Sequence, residues 1–152
     1  MFSTVSTAKK RRTWLQRGGL RLAQVGAALH VAGGFLDLSM SELQPFHREF
    51  LHVGAQGPAP EVRALLLALF HALGATLIAG GLAMLCLLSL ARRDDRRWIY
   101  VVVMAIAMCC EGMVGAQMLA LGLGFGVIPL VVGFSTALGA ALCCLPSPTQ
   151  EQ

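Results

Sequence analysis

The stretch Trp98–Leu123, WIYVVVMAIAMCCEGMVGAQMLALGL, decides how the rest of the chain is read. It is longer than the roughly 20 apolar helical residues that cross a hydrocarbon core of about 30 Å. Inside it stands a single charged residue, Glu111. A carboxylate at that depth costs on the order of 3 kcal/mol when ionised, so it faces protein or water and takes a partner. Which residues meet Glu111, and from which side of a membrane, are the questions it sets for the other segments.

Those segments share its character. Of 152 residues 56% are hydrophobic and only 13% charged, about half the charged share of a soluble domain. Apolar spans are expected at about 20–38, 64–91, 98–121 and 127–145, each near the length that a helix needs to cross. The expected fold is all-α: an integral membrane four-transmembrane-helix bundle over 18–145, with tails at 1–17 and 146–152. Little chain is left for a separate catalytic domain, which points away from an enzyme.

Charge placement sets the orientation. Lys9, Lys10, Arg11, Arg12, Arg17 and Arg21 precede or open the first span, and Arg92, Arg93, Arg96 and Arg97 separate the second from the third. Only Arg48 and Arg63 fall between the first and second. By the positive-inside rule both termini are cytoplasmic and the loop at 39–61 faces out. The basic clusters are read as topology signals that touch lipid headgroups, with no nucleic-acid partner. The alanine-, leucine- and glycine-rich usage suggests a bacterial inner membrane.

The first span follows a basic stretch, as a secretory signal would, but it contains His30 and ends in Asp37. It is therefore read as an uncleaved helix. In the outer loop, PFHREFLHVG resembles a short interfacial helix between helices 1 and 2. Pro45 suits its first position and Gly54 the residue past its end. Phe46, Phe50 and Val53 share one face, and Arg48, Glu49 and His52 lie largely on the other. His47 and His52 read as solvated surface histidines. Trp98 and Tyr100 are placed where aromatic rings anchor in headgroups.

Helical spacing collects small and polar residues on one face of each span. Gly26, His30, Gly33 and Asp37 share a face on the first, and His71, Gly74, Ile78 and Gly81 on the second. Met104, Met108, Glu111, Gly115 and Met118 form a stripe on the third, and Gly133, Thr136 and Ala140 on the fourth. At about 1.5 Å per residue, His71 lies roughly 10 Å below the outer interface and Glu111 roughly 20 Å above the inner one. These are similar depths, so a His71–Glu111 hydrogen bond is expected, with His30 within a turn of it and Asp37 and Gln117 continuing the polar track outward. Two roles compete for this cluster: fixing helix register, or forming an outward-facing pocket for protons or a small ligand.

The five cysteines, Cys86, Cys109, Cys110, Cys143 and Cys144, all lie in apolar segments, and there is no C-x-x-C. That argues against quinone-coupled disulfide-forming enzymes and for small packing residues. The methionine stripe is likewise read as core and not as a metal site. The second span, HALGATLIAGGLAMLCLLSLARR, with its HxxG start at His71 and Gly74, resembles the corresponding hairpin of small DoxX-like four-helix membrane proteins; that resemblance implies a fold and little about activity. Small multidrug-resistance exporters also have four short helices and one intramembrane glutamate. There the acid is on the first helix, whereas here it is on the third. The function expected is a membrane protein with an outward-facing polar pocket formed by Glu111, His71, His30, Asp37 and Gln117. The alternative is a haem- or quinone-binding electron-transfer subunit using His30 and His71, or an accessory subunit of a larger complex. The lipid bilayer is the expected surrounding partner. The cofactor, the ligand, and the choice between a homo-oligomer and another membrane-protein partner stay open.

Overall fold

The structure, a computed structural model, describes residues 13–51, 57–94 and 96–146. The expected basic tail up to Arg12, the loop residues His52, Val53 and Gly54, and the tail from 147 onward lie outside the described residues. So do the side chains of Phe46, Glu49 and Phe50. Among the described residues all regular structure is helical.

Helix α1 runs Trp14–Leu38, starting earlier than the apolar pattern predicts. Its start is set by a capping box. The Thr13 hydroxyl accepts from the Gln16 amide at 3.2 Å, and the Gln16 side chain accepts from the Thr13 amide at 3.0 Å. The short helix α2 spans Pro45–Phe50. Helix α3 spans Pro60–Asp94, with Pro60 at the first position, where its missing amide hydrogen is no loss. Its 35 residues cover about 50 Å at 1.5 Å per residue, more than a bilayer core needs.

The third long helix is not uniform. An α-helix, α4, covers Arg97–Ala107, a π-helical turn covers Met108–Gly112, and α5 continues over Met113–Ala120. The three run on as one helical stretch, Arg97–Ala120. Helix α5 closes in a Schellman turn, with Gly122 at φ +78 and Leu123 N–H donating to Met118 O at 2.9 Å. A 3-10 turn, Gly124–Gly126, leads into α6, Val127–Cys143.

Three helical stretches, Pro60–Arg93, Arg97–Ala120 and Gly124–Cys143, are long and apolar enough to cross a membrane, which makes this a membrane protein. The fourth expected span, α1, has the length but not the apolarity of the others. Arg17, Arg21, Gln24, His30 and Asp37 dilute it, so it differs in kind from its three neighbours.

Helix α1 packs between α3 and α6, and the third helix packs against α6 and α3, so α1 and the third helix stand diagonally across the bundle. At the basic end all of them close on one core. Leu20, Ala23 and Ala27 of α1 meet Met84 and Leu88 of α3, Ile99, Tyr100 and Val103 of α4, and Ala140 of α6. Tyr100 is thus buried at 1% exposure and is no headgroup anchor, contrary to the sequence expectation. It shares the 3–4 spacing of Val103 and Ala107, whereas Trp98, two positions earlier and turned about 200° away, is exposed.

At the opposite end the helices pair off. Gly81 lies against the Ala27 carbonyl, and Gly34 and Gly74 meet backbone to backbone, which zips α1 to α3. Gly115 and Gly126, and Gly133 against Gly112, zip the third helix to α6. Between the two pairs the bundle opens.

Candidate functional site

The opening is a cavity of about 470 Å³. Glu111 lies at its inner end, on the π-helical turn. Such a turn fits one more residue into the helix than regular winding does, and it recurs at functional sites. Buried positions on this helix include Val103, Ala107, Glu111 and Gly115, each four past the last. A regular helix would drift about 40° per step, and the wider π-turn takes up that drift. Gly133 holds the turn from α6: a Cβ there would stand 3.1 Å from Glu111 Cβ and 3.0 Å from the Gly112 amide nitrogen. Glu111 itself is only 8% exposed.

Its partner comes from the diagonal helix. His30 is fully buried, and its Nε2 stands 3.8 Å from Glu111 Oε1. Nδ1 lies 2.9 Å from the Gly26 carbonyl oxygen, which can only accept, so Nδ1 carries a hydrogen and donates it. The same residue, Gly26, is pressed against the Thr136 side chain of α6, which fixes α1 against α6 at this turn. Nε2 makes no hydrogen bond, and 3.8 Å is longer than one. A proton on Glu111 can therefore be offered to Nε2 after a small shift, or the pair can stand as imidazolium and carboxylate.

Asp37, half-buried one helical turn past Gly33, lines the same cavity and acts electrostatically on Glu111. Apart from His47 at the mouth, the remaining walls are apolar, among them Leu29 and Leu36 of α1, Phe70 and Leu77 of α3, Val114 and Met118 of α5, and Phe125 and Val132 on the α6 side. Among the described residues no Lys or Arg lines it. Two of the wall residues, Leu36 and Ile128, are nevertheless 69% and 67% exposed, so the cavity is also open sideways between α1 and α6.

The five residues singled out by sequence divide. Glu111, His30 and Asp37 come together. His71 does not pair with Glu111 as expected: its Nε2 donates to the Met40 carbonyl oxygen at 2.8 Å, strapping the chain after α1 onto α3. Depth alone could not reveal this, because the diagonal contact brings α1, and not α3, to the carboxylate. Gln117 is exposed and lies outside the cavity lining. Val114 and Met118, at three and seven residues past Glu111, face the cavity in its place.

One lining residue was misread. His47, expected as a solvated surface histidine, is half-buried, stacks on Phe70 at 4.6 Å between ring centroids, and lines the cavity mouth. Burial pushes its imidazole below the ordinary histidine value. The signal was local: the Gln44 amide donates to His47 Nδ1 at 3.2 Å, half of a capping box around Pro45. Among the described residues no group of three or more His, Cys, Asp or Glu side chains is arranged to hold a metal ion. Haem ligation by His71 through Nε2 would require that nitrogen to leave the Met40 carbonyl oxygen.

No family model, curated protein or solved structure matches this chain, so function is argued from the site itself.

Proposed function

We propose that the chain is a four-span membrane bundle of DoxX-like type, α1 being its polar fourth crossing, that binds a small, largely apolar ligand in the cavity above Glu111. Both termini are placed in the cytoplasm, in a bacterial inner membrane, and the cavity then opens outward. The observation that carries this reading is a carboxylate 8% exposed, on a π-helical turn, at the inner end of an apolar cavity of about 470 Å³. That volume lies within the roughly 300–1,000 Å³ usual for small-ligand sites, as does a mostly apolar wall with a few convergent polar groups. The His30–Glu111 pair supplies a place for a proton at the floor, beneath which the core is closed. The bond of His71 Nε2 to the Met40 carbonyl oxygen favours this pocket over a haem held by His30 and His71.

The test uses thiol labelling in sealed vesicles, on a variant whose five cysteines are replaced by alanine. Gly33 lines the cavity, and a Cβ there meets nothing within 4 Å. A Gly33→Cys variant should react with a small aqueous methanethiosulfonate added on the side of the α1–α3 loop, and not from the basic side. Ala23→Cys, in the closed core, should react from neither. A Gly33→Cys thiol unreactive from both sides would end the pocket reading, and reaction from the basic side alone would invert the orientation.

A further inference from the structure

We propose that the cavity takes a monovalent organic cation, an amine or quaternary ammonium that carries an aryl or alkyl group. This rests on the pocket reading above and adds the charge of the occupant. Two acidic side chains, Asp37 and Glu111, line one cavity, and among the described residues no Lys or Arg lines it to balance them. Glu111 is nine-tenths buried, yet its one ion-pair partner, His30, stays beyond hydrogen-bond distance at 3.8 Å. His30 in turn leaves Nε2 without a hydrogen bond. Two acidic side chains thus face one cavity, with a neutral-capable imidazole as the counter-group to one of them at its inner end.

The walls say what else the occupant carries. Phe70 and Phe125 offer ring faces, which attract a cation as well as an apolar group, and Met40 and Met118 supply adaptable apolar contact. His47, stacked on Phe70 at the mouth, adds a titratable ring there, and His30 is the titratable group behind Glu111. A neutral ligand of the same shape would leave the Asp37 carboxylate without a counter-charge in the cavity, and an anion would be repelled by it.

The experiment measures how well three probes slow methanethiosulfonate labelling of Gly33→Cys. Benzyltrimethylammonium is the cation, neopentylbenzene its uncharged isostere, and phenylacetate the anion. The cation should protect at a concentration at least about tenfold lower than the isostere, a ratio equivalent to one moderate charge interaction. That preference should fall in Asp37→Asn and in Glu111→Gln, each of which keeps side-chain shape. Equal or better protection by neopentylbenzene, protection by phenylacetate, or protection by none of the three overturns the cation assignment while the labelled cavity stands. A cation preference that survives both amide variants also overturns it. Failure of Gly33→Cys to label at all sinks the pocket reading instead.

Discussion

Gly34 of α1 and Gly74 of α3 face each other so closely that a Cβ on Gly74 would stand 2.6 Å from the Gly34 carbonyl oxygen. Neither side can yield, because the obstructing atoms are backbone. Gly34→Ala and Gly74→Ala are each expected to destabilise the bundle by about 1–3 kcal/mol, the scale of overpacking. Gly18→Ala, on the same helix with nothing within 4 Å, should be neutral or stabilising by up to about 1 kcal/mol through helix propensity. Thermal midpoints in one detergent check the contrast, and equal shifts for Gly18 and Gly34 would refute the zipped seam.

Gln16 links the two ends of the chain. Besides closing the capping box, its Nε2 donates to the Leu145 carbonyl oxygen at 2.7 Å, and Cys143 Sγ donates to the Gln16 carbonyl at 3.4 Å. Gln16→Ala removes two side-chain hydrogen bonds and should cost about 1–2 kcal/mol. Gln16→Glu keeps the acceptor for the Thr13 amide but sets a carboxylate oxygen against the Leu145 carbonyl oxygen, so its loss should equal or exceed that of alanine. A chemical-denaturation series on the three proteins gives the order.

The strap at the cavity mouth depends on His71. Replacing it with leucine removes the 2.8 Å bond to Met40 and should raise amide exchange across residues 39–51. Exchange around Gly26 and Thr136, held by glycine packing and not by the strap, should stay unchanged. Hydrogen-exchange mass spectrometry resolves the two regions. The companion contacts of Glu42 with Arg48 and Arg63, both 3.5 Å and exposed, should contribute little at physiological salt.

His47 gives the mouth a pH dependence of definite sign. The folded protein holds a proton on this ring less readily than the unfolded chain does, because burial disfavours the charged form. Stability from this group is therefore complete above the ordinary value of 6.5 and declines as pH falls through the lowered folded value. Comparing midpoints at about pH 7.5 and about pH 5, wild type should lose more than His47→Phe, which keeps an aromatic ring against Phe70 and has nothing to titrate. A larger loss in the phenylalanine variant would contradict the assignment.

The helices and their small-residue faces were legible because lipid-facing and packed positions differ in composition. Gly133, Thr136 and Ala140 are buried together on α6, as their spacing implied. Glu111 was legible because a charge in an apolar run is conspicuous. Its true partner was not, since helix order around the bundle has no trace in any single helix, and depth alone favoured His71. The π-turn at Met108–Gly112 was equally hidden, because no residue type demands it; only the steps of four between buried positions betray it. Gly33 and Asp37 share the face that Gly26 and His30 define, yet they line a cavity and not a contact, because α1 parts from α6 beyond the Gly26–Thr136 turn.

The sideways opening at Leu36 and Ile128 changes how binding strength has to be measured. In the bilayer placement proposed above, a molecule dissolved in the acyl chains reaches the wall of the cavity without first passing through water. Its effective concentration there is set by its partition coefficient and by the amount of lipid or detergent present. Dissociation constants expressed per volume of buffer will therefore drift with the lipid-to-protein ratio, whereas mole fractions in the bilayer will not.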